Sequence, residues 1–391
     1  MNDVIFTRGN GALGRPLASR DHVSAICMPV PDANLPSGFS TTDRIKLIYS
    51  LADAEALGIR PLATNLAHSH YQISEVFRLN PKAELYVYLY DSAATTAAVY
   101  LQPVIEFPEN GEIRNASIFK DAAIAGADIT DIQSVVTAMR LVHRPFSAIV
   151  GFSAYGAAND WSTAIDLRAL EADGVGVVIG GSGSGLGLTL ATTDNNIPAI
   201  GAVLGATSKA GVHESIAYVA KFNFSNGVEL EKTVIGDKSN LVNDQTEVLL
   251  SALTAKGYIF FRKHMGITGS YINDSSNADL ITSDYAYGES TRTIDKAIRG
   301  VRTFLLPQLS SPVYLNDDGT MREDTVANFR ALALRSLDQM QQAGEISARD
   351  VTIDPTQSVL STSKLVIGVK IVPVGVARNI EVNIAFALKV S

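Results

Sequence analysis

Apolar runs of strand length alternate with helical segments through the first half of the chain. The strand-like runs are "HVSAICMPVP" from His22, "AELYVYLYD" from Ala83, "FSAIVGFS" from Phe146 and "VGVVIG" from Val175. Helical segments such as "SHYQISEVFRLNP" and "DITDIQSVVTAMRLVHRP" stand between them. Strands separated by helices indicate an open α/β sheet with helices on its faces. We assign residues 21–250 to such an α/β domain.

Two further segments of this region are also predicted as helices. The segment "TTDRIKLIYSLADAEALGI" would begin near Thr41 or Thr42 and end at Gly58. The segment "STAIDLRALEADG" would form the helix before the "VGVVIG" strand. Both predictions rest on local pattern alone.

The pattern changes from about Lys256. Two short strands in "GYIFFRKHMGITGSYIND" are followed by a helix, "STRTIDKAIRGVRTFLLP". Thr320 and Glu323 have capping-box spacing and would open a second helix. The strand-like runs "DVTID" and "KLVIGVKIVPV" come next. This order predicts an α+β C-terminal domain over residues 251–378, and hence a mixed α+β chain of several domains.

The last segment alternates almost strictly between large apolar residues and polar or small ones. The apolar positions are Ile380, Val382, Ile384, Phe386, Leu388 and Val390. Alternation with a period of two predicts a strand, which we treat as a C-terminal arm over residues 379–391. A strand this regular should pair, either within its own sheet or with a neighbouring subunit.

Residues 1–20 are predicted to form an irregular N-terminal arm. Val4, Ile5 and Phe6 could make a short strand, but Gly9, Gly11, Gly14 and Pro16 follow too closely for a packed element.

The overall composition favours association with other protein chains. Hydrophobic residues make up 46% of the chain and charged residues only 18%, which is below the usual quarter. Such a surface suits burial against other subunits. The net charge of -8 gives no signature of nucleic-acid binding. We expect neither a signal peptide nor a transmembrane helix, and the single cysteine excludes an internal disulfide.

The glycine-rich stretch "VVIGGSGSGLGLTL" from Val177 raises the possibility of a phosphate site. Leu186 and Leu188 stand where the two possible G-x-G-x-x-G motifs need their last glycine. A P-loop starting at Gly180 would need lysine at Leu186. We therefore interpret Gly180–Gly187 as a packing or hinge loop. An α/β-domain enzyme or nucleotide-binding protein that uses this loop remains the alternative.

No other motif assembles a catalytic or metal site. "GFSAYG" has Tyr155 where a nucleophile elbow needs glycine, and "HESIA" has Ala217 where a zinc motif needs its second histidine. His68 and His70 are joined by no further ligand set. We expect no catalytic residues, no cofactor, no metal and no small-molecule substrate.

The helix near residues 291–305 carries an unusual concentration of positive charge. Arg292, Lys296 and Arg299 are spaced i, i+4, i+7 opposite an apolar face, and Asp295 is the only acid. A solvated polar face is one interpretation. A contact with an acidic partner surface is the other.

The last third of the sequence resembles the C-terminal region of contractile tail sheath proteins of phages, prophages and related contractile injection systems. The resemblance is carried by "KGYIFFRKHMGITGSYIND", "TSDYAYGESTRTIDKAIRGVRTFLLPQL", "NFRALALRSLDQMQQAGEISARDVTID" and "LVIGVKIVPVGVARNIEVNIAFALKV". The N-terminal "GALGRPLASRDHVSAI" is weakly similar to the arm of that family.

The resemblance implies a sheath subunit that forms stacked six-membered rings around an inner tube. Its two arms would add strands to neighbouring subunits, and contraction would drive the tube through a cell envelope. The implied partners are further copies of the chain, the tube protein, and the baseplate and tail terminator proteins. The protein would belong to a virion tail or injection particle assembled in the bacterial cytoplasm. Arg292, Lys296 and Arg299 would face the tube.

Overall fold

A computed structural model describes residues 20–61, 66–106, 112–155, 161–193 and 196–386. The strands are β1 Ser24–Pro29, β2 Ile45–Ile48, β3 Leu85–Tyr90, β4 Asn115–Ala123, β5 Ser147–Ala154, β6 Val175–Val178, β7 Gly180–Ser182, β8 Thr233–Ile235, β9 Tyr258–Ile259, β10 Phe261–Arg262, β11 Tyr271–Ile272, β12 Ile346–Thr352 and β13 Gly368–Pro373. The α-helices are α1 Leu51–Ala56, α2 Ala67–Leu79, α3 Ala97–Tyr100, α4 Gln102–Glu106, α5 Gly126–Leu141, α6 Gly185–Leu190, α7 Ile200–Lys209, α8 Glu247–Ala255, α9 Gly288–Leu305, α10 Glu323–Gln342 and α11 Val359–Thr362.

A seven-stranded sheet in the order β2-β3-β1-β4-β5-β6-β9 organises the α/β domain. The strands from β3 to β9 in this order pair in parallel, and only the edge strand β2 is antiparallel. Parallel strands need crossover connections, which the intervening helices provide. The predicted open α/β sheet is confirmed.

Helices cover both faces of this sheet, so its inner strands are apolar on both sides. In β1, Ala25 and Cys27 belong to the core beneath α5 and α8, whereas Ile26 and Met28 belong to the core beneath α2 and α7. Successive strand residues point to opposite faces, which is why these strands read as continuous apolar runs.

Three sequence predictions within this domain differ from the structure. The segment from Thr41 to Gly58 forms β2 and then α1, because β2 pairs with the edge of β3 whose main-chain groups would otherwise be unpaired. The stretch before β6 forms two 3₁₀ turns, Trp161–Thr163 and Leu167–Leu170, and Glu171 at φ 51° ends the second. β9, which the sequence placed in the C-terminal domain, pairs in parallel with β6 of the main sheet.

The C-terminal domain is built mainly on the helices α9 and α10 and the strands β12 and β13, with the short helix α11 between the two strands. α9 packs on α10, and β12 pairs antiparallel with β13. The core between them is small, with Ala333 and Leu337 as its fully buried members. α10 begins at Glu323 without the predicted capping box, since the Thr320 hydroxyl donates to Asp318 (2.7 Å).

Two glycines on α7 allow it to pack directly on the backbone of α2. A Cβ at Gly201 would lie 2.1 Å from the carbonyl oxygen of Gln72, and one at Gly205 would lie 2.8 Å from that of Val76. The Gln72 side chain accepts from the Gly201 N–H (2.8 Å) and donates to the Pro198 carbonyl (2.9 Å). The α2–α7 spacing therefore depends on the missing side chain at residue 201.

We expect Gly201→Ala to lower the free energy of unfolding by about 1–3 kcal/mol, because the added methyl group must displace the α2 backbone. Urea denaturation followed by circular dichroism measures this change. The matched control is Gly288→Ala in α9, where the nearest atom to the new Cβ lies at 3.6 Å. Equal stability of the two variants would contradict the close packing of α2 on α7.

Candidate subunit-interface elements

The C-terminal arm, residues 379–391, is described as far as Phe386 and is exposed throughout that range. Residues 374–386 belong to no helix and no strand. Exposed fractions are 81% for Ile380, 71% for Val382, 90% for Ile384 and 110% for Phe386. Leu388 lies outside the described residues. The alternating apolar side chains that predicted a strand therefore contact solvent in the isolated subunit.

The two-stranded sheet of β12 and β13 lies directly before the arm and has open edges within the described residues. β12 pairs only with β13 in that part of the chain, and β13 only with β12. Val369 and Val372 on β13 are 38% and 54% exposed. A two-stranded sheet is marginal by itself and gains stability from added strands.

Ion pairs fix the chain where the N-terminal arm ends. Val4, Ile5 and Phe6 lie outside the described residues. At the root of the arm, Arg20 pairs with Glu84 and Glu112, each at 2.5 Å.

The next residue, Asp21, joins the arm root to the C-terminal domain. Its carboxylate pairs with Lys296 (2.9 Å) and Arg299 (2.8 Å) of α9. Lys296 also pairs with Glu345, which directly precedes β12. A single network thus connects the arm root, α9 and the start of β12.

Arg292 is buried between the two domains. Its guanidinium donates to the carbonyls of Thr207 (2.9 Å) and Ala210 (3.0 Å), at the end of α7. A cation is favourable here because carbonyl groups at a helix C-terminus carry partial negative charge. Burial lowers the pKa of Arg292 to about 10, so the side chain remains charged at neutral pH.

The charged face of α9 is therefore turned toward the α/β domain. Arg292 is 7% exposed, and the side chains of Lys296 and Arg299 are each 19% exposed. Asp295 is buried on the same face, and burial raises its pKa to about 6. This placement differs from the expected free surface, because each of the three cations has partners within the chain. A contact of these cations with an inner tube stays a prediction.

The segment between β11 and α9 is organised by a buried arginine of the α/β domain. One Arg168 nitrogen donates to the carbonyls of Asn277 (3.2 Å), Asp279 (3.0 Å) and Ala286 (3.0 Å). These bonds hold residues 277–286 in place against the main sheet.

A second arginine, Arg378, binds the same segment from the C-terminal side. It pairs with Asp274 (2.9 Å) and with Glu289, and its guanidinium carbon lies 3.4 Å from the centroid of the Tyr287 ring. Arg168 lies 5.6 Å from the same centroid. The roots of both arms are thus bound next to α9, that of the N-terminal arm by Asp21 and that of the C-terminal arm by Arg378.

The glycine-rich loop serves close packing of the backbone. Gly180 and Gly181 lie in β7, where a Cβ would lie 2.8 Å from the Phe260 backbone or 2.7 Å from the Ile197 carbonyl oxygen. This supports the packing interpretation of the loop.

An internal carboxylate occupies the start of the short helix α6 that follows. Glu229 accepts from the N–H groups of Leu186 and Gly187 (3.3 Å) and is 8% exposed. A Cβ at Gly185 would lie 2.2 Å from the Glu229 carboxylate. Two backbone donors at the start of α6, where a phosphate would bind, are therefore already bound by Glu229.

The described residues provide neither a metal-binding cluster nor a membrane-spanning helix. Within those ranges, no group of three or more His, Cys, Asp or Glu side chains is placed to hold a metal ion. No helix among them is long and apolar enough to cross a membrane.

Sequence reasoning missed the partners of the charged residues. Arg299 and Asp21 are 278 residues apart, and Arg378 and Asp274 are 104 apart. Single acids such as Asp21 carry no local signal. The lopsided charge of α9 was the one signal, and the sequence analysis assigned it to solvent or to an acidic partner surface rather than to acids of the same chain.

Family models match almost the whole chain. The DUF2586 N-terminal domain matches residues 1–276, and the DUF2586 C-terminal domain matches residues 284–391. The chain belongs to the DUF2586 family. Residues 277–283, which lie between the two matches, belong to the segment that Arg168 holds. No curated protein matches this DUF2586 sequence.

Solved structures with a similar fold come from contractile particles. A chain of the anti-feeding prophage baseplate is 17% identical with a TM-score of 0.62, and covers 99% of this chain and 100% of its own. A chain of the PVC sheath complex in the contracted state, from an extracellular contractile injection system, is 13% identical with a TM-score of 0.65 (99% and 98% covered). A sheath tail protein from Desulfitobacterium hafniense is 11% identical with a TM-score of 0.53 (95% and 100% covered).

These likenesses confirm at the level of fold the resemblance that the sequence indicated. The DUF2586 chain has the mixed α+β, multi-domain fold of sheath tail proteins. It matches those chains over their full length.

We expect Asp21→Asn to lower the free energy of unfolding by about 1–3 kcal/mol, because two half-buried cations lose their shared charged acceptor. Urea denaturation measures the change. The control is Asp43→Asn, which removes the partner of Lys46 where the acid is 59% exposed, and should cost under about 0.5 kcal/mol. Equal effects would contradict a structural role for the Asp21 network.

We also expect that millimolar ATP or NAD leaves the melting temperature unchanged, because Glu229 binds the donors of the glycine-rich loop. A ligand that binds the folded state raises the melting temperature in proportion to the logarithm of its concentration. Differential scanning fluorimetry measures this. An increase that Gly183→Val abolishes would support the nucleotide-binding alternative.

Proposed function

We propose that this protein is a structural subunit of a contractile tail sheath that polymerises by strand exchange between copies. The observation that carries the proposal is the C-terminal arm, whose alternating apolar side chains are exposed beside a two-stranded sheet with open edges. The fold also supports the proposal, because solved structures with a similar fold belong to contractile particles.

Exposure of the arm is unfavourable in an isolated subunit. Large apolar side chains gain roughly 1.5–3 kcal/mol each when they leave water. Ile380, Val382, Ile384 and Phe386 alternate, so in a strand they share one face. Pairing with another chain would bury this face and satisfy the main-chain groups at the same time.

The sheet of β12 and β13 is the acceptor in this proposal. A neighbour's C-terminal arm adds to one open edge, and the N-terminal strand of Val4, Ile5 and Phe6 from a copy adds to the other. The completed sheet has four strands, which covers the open edges of β12 and β13 and leaves the outer edges on the two added arm strands. The roots of both arms are paired with α9, so the strands exchanged with successive neighbours start from one region of the subunit.

The wider assembly follows the resemblance to sheath proteins. Copies form six-membered rings stacked around an inner tube, and contraction drives that tube through a cell envelope. The partners are the tube protein, the baseplate and the tail terminator, in a virion tail or injection particle assembled in the bacterial cytoplasm. The role is structural, and no step in it uses a nucleotide.

The decisive experiment deletes Asn379–Ser391 and examines concentrated protein by negative-stain electron microscopy. We expect striated, wide-bore tubes from the full chain. The truncated chain should stay monomeric with an unchanged circular dichroism spectrum, because the deletion removes no internal pairing of the described residues. A truncated chain that is unfolded or insoluble would instead show that the arm pairs within its own subunit.

Point substitutions on the two sides of the arm test the strand itself. Val382→Asp places a charge on the apolar face and should abolish the tubes, whereas Asn383→Asp places the same charge on the opposite side and should leave them largely intact. Equal effects of the two substitutions would contradict pairing as a strand with one buried face.

A further inference from the structure

Three residues, Asp274, Tyr287 and Glu289, bind the root of the C-terminal arm through Arg378. We call this set of residues the arginine socket. Arg378 Nε lies 2.9 Å from Asp274 Oδ2 and 3.2 Å from Oδ1. Arg378 Nη2 donates to Glu289 Oε1, and the guanidinium lies over the Tyr287 ring. All three socket residues contact this one side chain.

The socket is suited to a planar guanidinium. The side chains of Glu289 and Asp274 are 6% and 13% exposed, so two carboxylates are held close together away from water. The Ser275 hydroxyl donates to Glu289 Oε2 (2.5 Å), which fixes that carboxylate. Two such acids require a cation, and an arginine reaches both while stacking on the ring.

The arm has a competing partner within its own subunit. Only residues 374–377 separate the end of β13 at Pro373 from Arg378. Loops of two to five residues suffice for a hairpin, so the arm has enough chain to turn back onto the open edge of β13. Pairing inside one chain has an effective concentration of about millimolar, which favours it over pairing with a second copy in dilute solution.

In the structure, the root of the C-terminal arm does not pair with the open edge of β13. Arg378 lies in the socket, between the end of β11 and the first turn of α9. No residue from 374 to 386 pairs with β13.

We propose that the arginine socket is an exit clamp that keeps the C-terminal arm off its own β13 edge. With Arg378 bound, both the arm and the edge remain available to other copies of the chain. Without it, the arm closes on its own sheet and the subunit cannot be extended. This inference rests on the proposed function for its consequence in assembly, but the self-pairing itself is a property of the monomer.

Hydrogen–deuterium exchange of the full-length monomer, isolated by size exclusion, tests the clamp. In the wild-type monomer, amides of residues 379–386 should exchange at the rate of an unstructured peptide. In Arg378→Ala the same amides should exchange at least about tenfold more slowly, because they form a hairpin with β13. Asp274→Asn removes a charged acceptor of Arg378 from the socket, so it should also slow the exchange of the arm amides.

The matched control is Arg322→Ala. Arg322 also pairs with a carboxylate, Asp324 (2.8 Å), and lies over a tyrosine ring, Tyr314 (5.9 Å), but it does not contact the arm root. Its arm amides should exchange as in wild type. Unchanged arm exchange in both Arg378→Ala and Asp274→Asn would overturn the clamp.

The clamp and the sheath proposal fail in different ways. Loss of tubes on deleting Asn379–Ser391, together with unchanged arm exchange in both Arg378→Ala and Asp274→Asn, overturns the clamp and leaves strand exchange intact. Slower arm exchange in Arg378→Ala supports the clamp as a property of the monomer, whatever the full chain assembles into.

Discussion

The fold depends on a polar junction where the charged face of α9 meets the α/β domain. The C-terminal domain has only a small apolar core, and the residues of that core all belong to the domain itself. Arg292 instead binds carbonyls at the end of α7, and Lys296 and Arg299 share Asp21. Groups of this kind must be paired once they are withdrawn from water, which gives the junction one favourable geometry rather than many.

This junction also determines where the arms begin. Asp21 directly follows the N-terminal arm, and Arg378 directly precedes the C-terminal arm. Both are bound by residues of α9 or of the segment that leads into it. In the proposed sheath, movement of one subunit would reach its neighbours through these two roots. Contacts made by ions and hydrogen bonds suit that role, because they are directional and sensitive to the position of a single residue.

The glycine-rich loop illustrates how a sequence resembling a cofactor motif serves packing instead. Leu186 and Leu188 do not fit the phosphate-binding motifs, and the structure shows the physical reason for the glycines. Glycine is needed where the backbone approaches Ile197 and Phe260, and Glu229 provides the negative charge at the start of α6. The carboxylate comes from a segment more than forty residues away, so no local pattern indicated it.

The sequence by itself determined the features that depend on neighbouring residues. Continuous apolar runs identified β1, β3, β5 and β6, a period of 3.6 identified the helices α9 and α10, and a period of two identified the alternation of the C-terminal arm, because these patterns follow from local backbone geometry. The central strand β4 was not predicted. The tertiary structure decided which groups meet across the chain. It made β2 from a segment with helical pattern, because the edge of β3 needed a partner, and it turned the charged face of α9 inward, because Asp21 lies opposite it. Long-range pairing of this kind depends on the packed arrangement of whole elements, which no local pattern specifies.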